Sequence, residues 1–388
     1  MLIAIPAEAY PGEFRVAATP ETIKKLIKAG HTVRVESKAG LHAAISDAAY
    51  TEAGAEIAPH PEALYQGAQL ILKVRAPEAH ELAQLPDHAA LVALFDIHRY
   101  AHLDVLSSKN ISAYALELVP RITRAQSMDV LSSQANIAGY RAVLLATQYY
   151  PRFMPMLMTA AGTVKPARVL ILGAGVAGLQ AIATAKRLGA IVEVFDVRPA
   201  TREQVESLGG KFIEVPLNDA EKAAAETAGG YAREMSEDYK LRQSALIDQQ
   251  SRLADIIIST AQIPGKAAPV LIPASTVLGM KAGSVIIDLA VDSGGNCPLS
   301  KSGEVVHSEN GVIIVGHGNL ASLLAADASA LYARNMLTFL SLLQDAEGAY
   351  APHMDDEIIK ATLVSHQGEP LFGKAPAPAH NVTQAQAA

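Results

Sequence analysis

Short apolar runs alternate with amphipathic stretches from the first residues onward. The run LIAI (2–5) predicts a strand, and Thr19-Pro20-Glu21 has the form of a helix start, with a threonine able to cap and a proline at the first helical position. The helix so begun, TIKKLIKAG, stops at Gly30, and TVRVE (32–36) predicts the next strand. LILKV (70–74), ALVALF (90–95) and ISAYAL (111–116) predict three more, with helical or loop material between them. A long helical pattern then runs from about Gln126 to Tyr149 and closes at Pro151. A second series follows: ARVLILGAGVAGLQAIATAKRLGAIVEVFDVR (167–198), KFIEV (211–215), ADIIIST (254–260), SVIIDLA (284–290) and VIIVG (312–316). Strands alternating with helices predict parallel sheets. The expected fold is α/β, with two Rossmann-like parallel-sheet domains joined by long helices. The expected boundaries are 1–125, completed by a returning helical segment at about 325–374; a connecting helix, 126–150; and a second domain, 151–324. The charge-rich stretch 217–250, with Gly229-Gly230 inside it, predicts a mobile loop. Residues 375–388, rich in Ala, Pro and Gln, predict a flexible tail.

Composition narrows the function classes. Of 388 residues, 50% are apolar and 18% charged, ample for sizeable cores. A net charge of −7 argues against a nucleic-acid partner, which calls for a basic surplus. The single cysteine, Cys297, excludes an intrachain disulfide and a Cys-rich zinc site, and reads as a small buried residue beside Gly294-Gly295. The twelve histidines are scattered without HExxH, so no metal site is expected, and His98 and His102 read as surface residues. The opening MLIAIPAEAYPGEFR lacks the form of a secretory signal, and nothing approaches the roughly 18 apolar residues of a membrane span. A cytoplasmic chain without direct membrane insertion is expected.

The strongest motif is Gly173-Ala174-Gly175-Val176-Ala177-Gly178, a GxGxxG that directly follows the apolar VLIL and opens an amphipathic helix. The next strand ends in Asp196, 18 residues past Gly178. The first glycine permits a tight turn, the second lets backbone approach a pyrophosphate, and the third lets helix and strand pack closely. The helix N-terminus supplies unpaired N–H groups and positive dipole. Asp196 can accept both hydroxyls of an adenosine ribose and would repel a 2′-phosphate, whereas Arg198 could accept one; the acid weighs more, so NAD(H) is expected over NADP(H). The nucleotide cleft is expected between the two domains.

A second cluster, Pro120-Arg121-Ile122-Thr123-Arg124-Ala125-Gln126-Ser127-Met128-Asp129, is unusually polar for a hinge. Its donors and carboxylate could converge on a ligand, or could simply be a capped helix start with an acid in the first turn. The string PRITRAQSMDVLSSQANIAGYRAV, with TAAGT (159–163), IAIPAEAYPGEFRVAATPE, DVRPATREQVESLGGKF, AETAGGYAREM, IPGKAAPVLI and GSVIIDLAVDSGGNCPLS, resembles the NAD(H)-binding component of the proton-translocating nicotinamide nucleotide transhydrogenases through nearly the whole chain. RAQSMD and GGYAREM are its specific motifs; the Rossmann elements are shared with the related alanine dehydrogenases.

The resemblance implies a chain that binds NAD(H) and passes hydride directly to NADP(H) held on a partner domain, coupled to proton movement across a membrane. It further implies a homodimer that docks on membrane-spanning and NADP(H)-binding subunits, peripheral to the inner face of the cell membrane. By the same resemblance Gln126, Ser127, Met128 and Asp129 line the nicotinamide side, with Arg121 and Ser132 beside them. Gly173, Gly175, Val176 and Gly178 form the pyrophosphate turn, and Asp196, Val197 and Arg198 meet the adenosine ribose. Gly230 and Tyr231 form the tip of a loop that closes on the nucleotide, and Gln243 and Gln262 are further contact positions, the latter through either its side chain or its backbone. Arg121, Gln126, Asp129 and Ser132 are the residues expected to orient the reacting end.

A rival is an NAD-dependent alanine dehydrogenase. Arg15 and Lys73 resemble the cations that hold its keto acid, and Asp292 sits where its aspartate would be. The expected histidine motif is missing: the segment reads Leu94-Phe95-Asp96-Ile97-His98, and a shift of two along a strand would keep His98 on the same face. An alternative of another class is an NAD(H)-sensing module without chemistry of its own.

Overall fold

The computed structural model describes residues 1–216, 237–263 and 265–373. In chain order its strands are β1 (Leu2–Ile5), β2 (Thr32–Glu36), β3 (Glu56–Ala58), β4 (Leu70–Arg75), β5 (Ala90–Leu94) and β6 (Ser112–Ala115), then the hairpin β7 (Leu157–Thr159) and β8 (Gly162–Val164). The second series is β9 (Arg168–Leu172), β10 (Ile191–Phe195), β11 (Lys211–Phe212), β12 (Ile256–Ser259), β13 (Val285–Asp288), β14 (Val305–His307) and β15 (Ile313–Gly316), and the chain closes with β16 (Leu363–His366) and β17 (Glu369–Pro370). Two compact units contain these elements. Unit one comprises 1–11, 15–130 and 332 onward; unit two comprises 12–14 and 131–331.

In unit one the strand order is β3-β2-β1-β4-β5-β6, all parallel, extended by antiparallel β16 and β17. The helix Pro20–Lys28 starts as its residues demand: Thr19 and Thr22 form a reciprocal capping pair, Pro20 needs no N–H partner, and Ile23 and Leu26 face inward. Ala4, Ile71, Leu91, Ala113 and Val364 are buried together beside Leu106 and Ile111.

Unit two repeats the plan in the order β11-β10-β9-β12-β13-β15-β14, parallel except for β14 at the edge. Its apolar runs are nearly continuous because both faces are covered. Val169, Ile171, Val192, Ile256 and Ile287 pack with Ala142, Ala146, Ala181 and Ile182 on one face; Leu170, Leu172, Ile257, Ile286 and Ile314 pack with Tyr239, Ile247 and Val277 on the other. Gly12–Phe14 belongs to this unit through Ser322, whose Oγ accepts from Phe14 N at 2.7 Å and donates to the Gly12 carbonyl at 2.8 Å.

Three expectations need correction. The helix expected from Gln126 begins at Val130, because Thr123–Met128 is a 3-10 turn and Asp129, with φ −74° and ψ 86°, interrupts the helical path. The stretch 217–250 is not loop throughout: Glu237–Leu253 is a helix, its charges paired at i,i+4 (Arg242–Asp238 and Arg252–Asp248) while Tyr239 and Ile247 are buried. KFIEV forms only the two-residue β11. The expected tail, 375–388, lies outside the described residues. No helix among the described residues is long and apolar enough to cross a membrane.

Candidate functional site

In unit two the parallel strands present their C-terminal ends on one rim, the side on which open α/β sheets receive ligands. β9 ends at Leu172, and Gly173, with φ +106°, turns the chain through a backbone region that side chains disfavour. Its N–H donates to the Phe195 carbonyl at 2.8 Å, which ties the turn to β10. A side chain at Gly178 would overlap the Gly173 carbonyl, so the helix Val176–Arg187 can approach β9 only with glycine there. A side chain at Gly175 would meet nothing within 4 Å. That open space lies at the helix N-cap, where no side chain caps the orphan N–H groups. Such a donor set, with room in front of it, fits a pyrophosphate. Val176 is partly exposed at the same rim, and Val197 beyond β10 is exposed.

Asp196 follows β10 and is almost wholly engaged. Its Oδ2 accepts from Ala174 N at 2.6 Å and Arg198 Nη2 at 2.8 Å; its Oδ1 accepts from Arg198 N at 2.8 Å and Nε at 2.9 Å. Burial by itself would raise this carboxyl, but the Arg198 fork and the two backbone donors outweigh it and hold the group below its ordinary value. The acid is therefore ionised, and Arg198 balances its charge.

β12 leads to Thr260, whose Oγ1 donates to the Leu172 and Gly173 carbonyls at 3.2 Å and braces the glycine turn. Gln262 is exposed, and its Nε2 is held by the Leu289 carbonyl at 3.1 Å. Gln243 lies half-buried on the helix Glu237–Leu253, and Ser132 on the first turn of Val130–Tyr149. Gly230 and Tyr231 lie outside the described residues.

The polar cluster of unit one sorts by exposure. Met128 and Ala125 are buried; Arg121, Gln126 and Ser127 are exposed, and Asp129 is half-buried. Arg124 is committed to Asp356 at 2.7 and 3.0 Å, with Glu357 at 3.5 Å, and Asn335 Nδ2 holds the Ser127 carbonyl at 2.7 Å. Arg121 makes no ion pair among the described residues, so it retains its donors for a ligand.

The cations that suggested a keto-acid site are differently disposed. Lys73 is 1% exposed; its Nζ lies 2.7 Å from Glu81 Oε1 and 3.6 Å from Glu8 Oε2. Glu8 also accepts from Val74 N at 2.6 Å and Arg75 N at 3.1 Å. Burial would lower the ammonium, but the two carboxylates hold its pKa above the ordinary lysine value. Two carboxylates enclosing one ammonium leave no positive surplus for a substrate anion. Arg15 is buried, and Asp292 is exposed, accepting from Ser302 Oγ at 2.5 Å. His98 does not share a strand face with residue 96: β5 stops at Leu94, Asp96 turns at φ +50°, and the exposed imidazole packs edge-on against Phe372 at 5.2 Å. The same-face argument from the sequence therefore fails.

Cys297 is fully buried, and burial pushes its thiol up to about 11, which leaves it unreactive at neutral pH. Among the described residues no group of three or more His, Cys, Asp or Glu is placed to hold a metal ion. Three contributors escaped sequence reasoning. Gly139 packs so closely on the Ala177 carbonyl that a side chain there would overlap it. Asn296 is buried, donates to the Ala261 and Pro269 carbonyls at 2.9 and 2.8 Å, and meets the Ser259 hydroxyl. The third is the triad around Lys73, of which only the lysine drew notice. None belongs to a local motif, so pairing across the fold was the only signal.

Two family models cover the chain: alanine dehydrogenase/PNT, N-terminal domain, over residues 4–138, and alanine dehydrogenase/PNT, C-terminal domain, over 142–372. An NAD(P) transhydrogenase subunit alpha of Rhodospirillum rubrum, the first polypeptide of a divided subunit, is 51% identical over 375 residues, covering 95% of this chain and 97% of that protein. A crystal structure of a transhydrogenase from Sinorhizobium meliloti aligns with a TM-score of 0.86 at 44% identity, covering 96% of this chain and 100% of that one. An alanine dehydrogenase of Mycolicibacterium smegmatis is 28% identical over 386 residues, covering 96% of this chain and 95% of that protein.

Proposed function

This chain belongs to the alanine dehydrogenase/PNT family, and from that premise we propose that it is the NAD(H)-binding component of a proton-translocating NAD(P) transhydrogenase. The observation that carries the reading is 51% identity along nearly the full length of a transhydrogenase alpha subunit, against 28% for an alanine dehydrogenase. The fingerprint geometry supports it independently: orphan N–H groups, an open approach at Gly175 and an ionised Asp196 suit a dinucleotide.

Bound NADH supplies a hydride to NADP+ held on a partner domain. Transfer between two nicotinamides needs no proton donor, only placement at near-contact distance with water excluded. The residues of this chain therefore orient rather than react. Gly173, Gly175, Val176 and Gly178 hold the pyrophosphate; Asp196, Val197 and Arg198 hold the adenosine ribose. Arg121, Gln126, Ser127, Met128, Asp129 and Ser132 hold the nicotinamide end, Met128 through its backbone because its side chain is buried. Gln243 and Gln262 add contacts, Gln262 through its backbone since its side chain is engaged with Leu289. Assembly as a homodimer, attached to the inner face of the membrane through membrane-spanning and NADP(H)-binding subunits, belongs to the same reading.

The locked state of Lys73 weighs against alanine dehydrogenase activity, which requires a free cation for the keto acid. The test is an assay of NADH-dependent NADP+ reduction by the purified chain, with and without an added NADP(H)-binding domain, beside pyruvate and ammonia as the rival substrates. Transfer only when the domain is added is the expected result. NADH oxidation by pyruvate and ammonia would move the assignment to alanine dehydrogenase, and NADH binding without either reaction would leave a sensing module.

A further inference from the structure

The rim of unit two carries a half-buried imidazole that the fingerprint does not use. β15 ends at Gly316, so His317 leaves the sheet at its C-terminal edge, and it makes no side-chain hydrogen bond among the described residues. The adjacent strand, β13, leads into the turn Val291–Ser293, which carries Asp292. The Asp292 carboxylate lies against Gly318, where any side chain would overlap it, and is fixed by Ser302 Oγ at 2.5 Å. From the helix Val130–Tyr149 comes Arg141, whose Nε is buried without a hydrogen-bond partner. Two other charged groups pack nearby. Glu13 is held by Asn319 Nδ2 at 3.0 Å, and Lys301, whose main chain lies under Gly316, points its ammonium to Glu304 at 3.8 Å.

Sheet order fixes what this cluster would face. Asp196 marks the adenosine end, beyond β10, and the pyrophosphate turn follows β9. A dinucleotide that crosses the switch point between β9 and β12 extends its other half over β12, β13 and β15. His317 and Asp292 stand at the ends of the last two.

We propose that His317, set between Asp292 and Arg141, is a positioning residue at the nicotinamide end that discriminates the oxidised from the reduced nucleotide. The inference rests on the NAD(H)-binding reading above and assigns to that site a selectivity for redox state. The two forms differ at one ring, which carries a positive charge in NAD+ and none in NADH. With neutral His317, the carboxylate of Asp292 and the guanidinium of Arg141 offset each other. A proton on His317 adds one positive charge that opposes the oxidised ring and leaves the reduced ring nearly indifferent. Burial lowers the affinity of this imidazole for a proton, Asp292 raises it and Arg141 lowers it, with a net pKa below the ordinary histidine value. The proton therefore binds on the acid side of neutrality. By linkage, NAD+ binding must expel it to the same degree that the proton disfavours NAD+.

The test is the ratio of the NAD+ and NADH dissociation constants of the full chain, measured calorimetrically from about pH 8 to about pH 5.5, the range in which a histidine titrates. The expected result is a rise of about tenfold in the ratio on acidification, the effect of one added charge across several ångströms of partly polar medium. His317→Gln should hold the ratio flat near its alkaline value. Asp292→Asn should raise it at every pH and move the remaining step to lower pH. A flat ratio in the unaltered chain with both nucleotides bound, or a slope that survives His317→Gln, overturns the inference. If neither nucleotide binds at any pH, the NAD(H) reading itself fails.

Discussion

At the scale of single residues, the Asp196–Arg198 pair decides nucleotide choice. Charge balance by Arg198 makes the carboxylate a weaker repellent of a 2′-phosphate than a bare acid would be. The unaltered chain should still prefer NADH to NADPH. Arg198→Ala should sharpen that preference by about tenfold, because it uncovers the carboxylate, while Asp196→Asn should erode it. Equilibrium dialysis against both nucleotides checks this, and tighter NADPH binding by the unaltered chain would reverse the assignment. The folded-state pKa of Asp196 is depressed, so its stabilising contribution is complete above the unfolded value of about 3.9 and fades only as pH falls through the folded one. Asp196 therefore does not titrate where His317 does. Gln126 and Asp129 act at the opposite end. Gln126→Asn or Asp129→Asn should slow hydride transfer far more than it weakens NADH binding, the mark of an interaction used mainly in the transition state. A loss confined to NADH affinity would return Asp129 to a simple helix cap.

At the scale of elements, two kinds of glycine separate structure from function. Gly139, on Val130–Tyr149, lets that helix lie against the Ala177 carbonyl, so Gly139→Ala should cost roughly 1–3 kcal/mol by overpacking. Gly175 has open space before it, so Gly175→Ala should leave the melting temperature nearly unchanged and weaken NADH binding, because the added methyl enters the space a pyrophosphate would use. Thermal unfolding beside calorimetric titration distinguishes the two, and a common loss of stability would dismiss the distinction. Gly175 could be read from spacing alone, since its neighbours in sequence define its role. Gly139 could not, because its partner lies 38 residues away on another helix. The same contrast governs the strands. β9, β10, β12 and β13 are buried apolar runs that declare themselves, whereas β3, β7, β8, β14 and β17 are two or three residues long and exposed or mixed, and exist only because a neighbour or a turn holds them. The helix Glu237–Leu253 read as loop because its charges hide a sparse apolar face.

At the scale of the whole molecule, both units share the same doubly wound strand order, yet only one has the chemistry of a nucleotide site. In unit two the crevice between the first and fourth strands of its series receives the glycine turn with its orphan N–H groups. In unit one the corresponding crevice, after β1 and β4, is filled by Glu8, which takes the Val74 and Arg75 N–H groups that an anion would need, and by Lys73 with Glu81. A pyrophosphate there would meet two carboxylates whose one neighbouring ammonium is already shared between them. The lysine is structural in this arrangement, and Lys73→Met should destabilise unit one by roughly 3–5 kcal/mol, the usual consequence of stranding buried charges. Calorimetric titration of the unaltered chain should accordingly give one NADH per chain. Hydrogen exchange should slow on NADH binding at 173–178 and around 196, and stay unchanged at 6–9 and 73–81. Two nucleotides per chain, or protection appearing around Glu8, would show that the carboxylates of unit one do not exclude a dinucleotide.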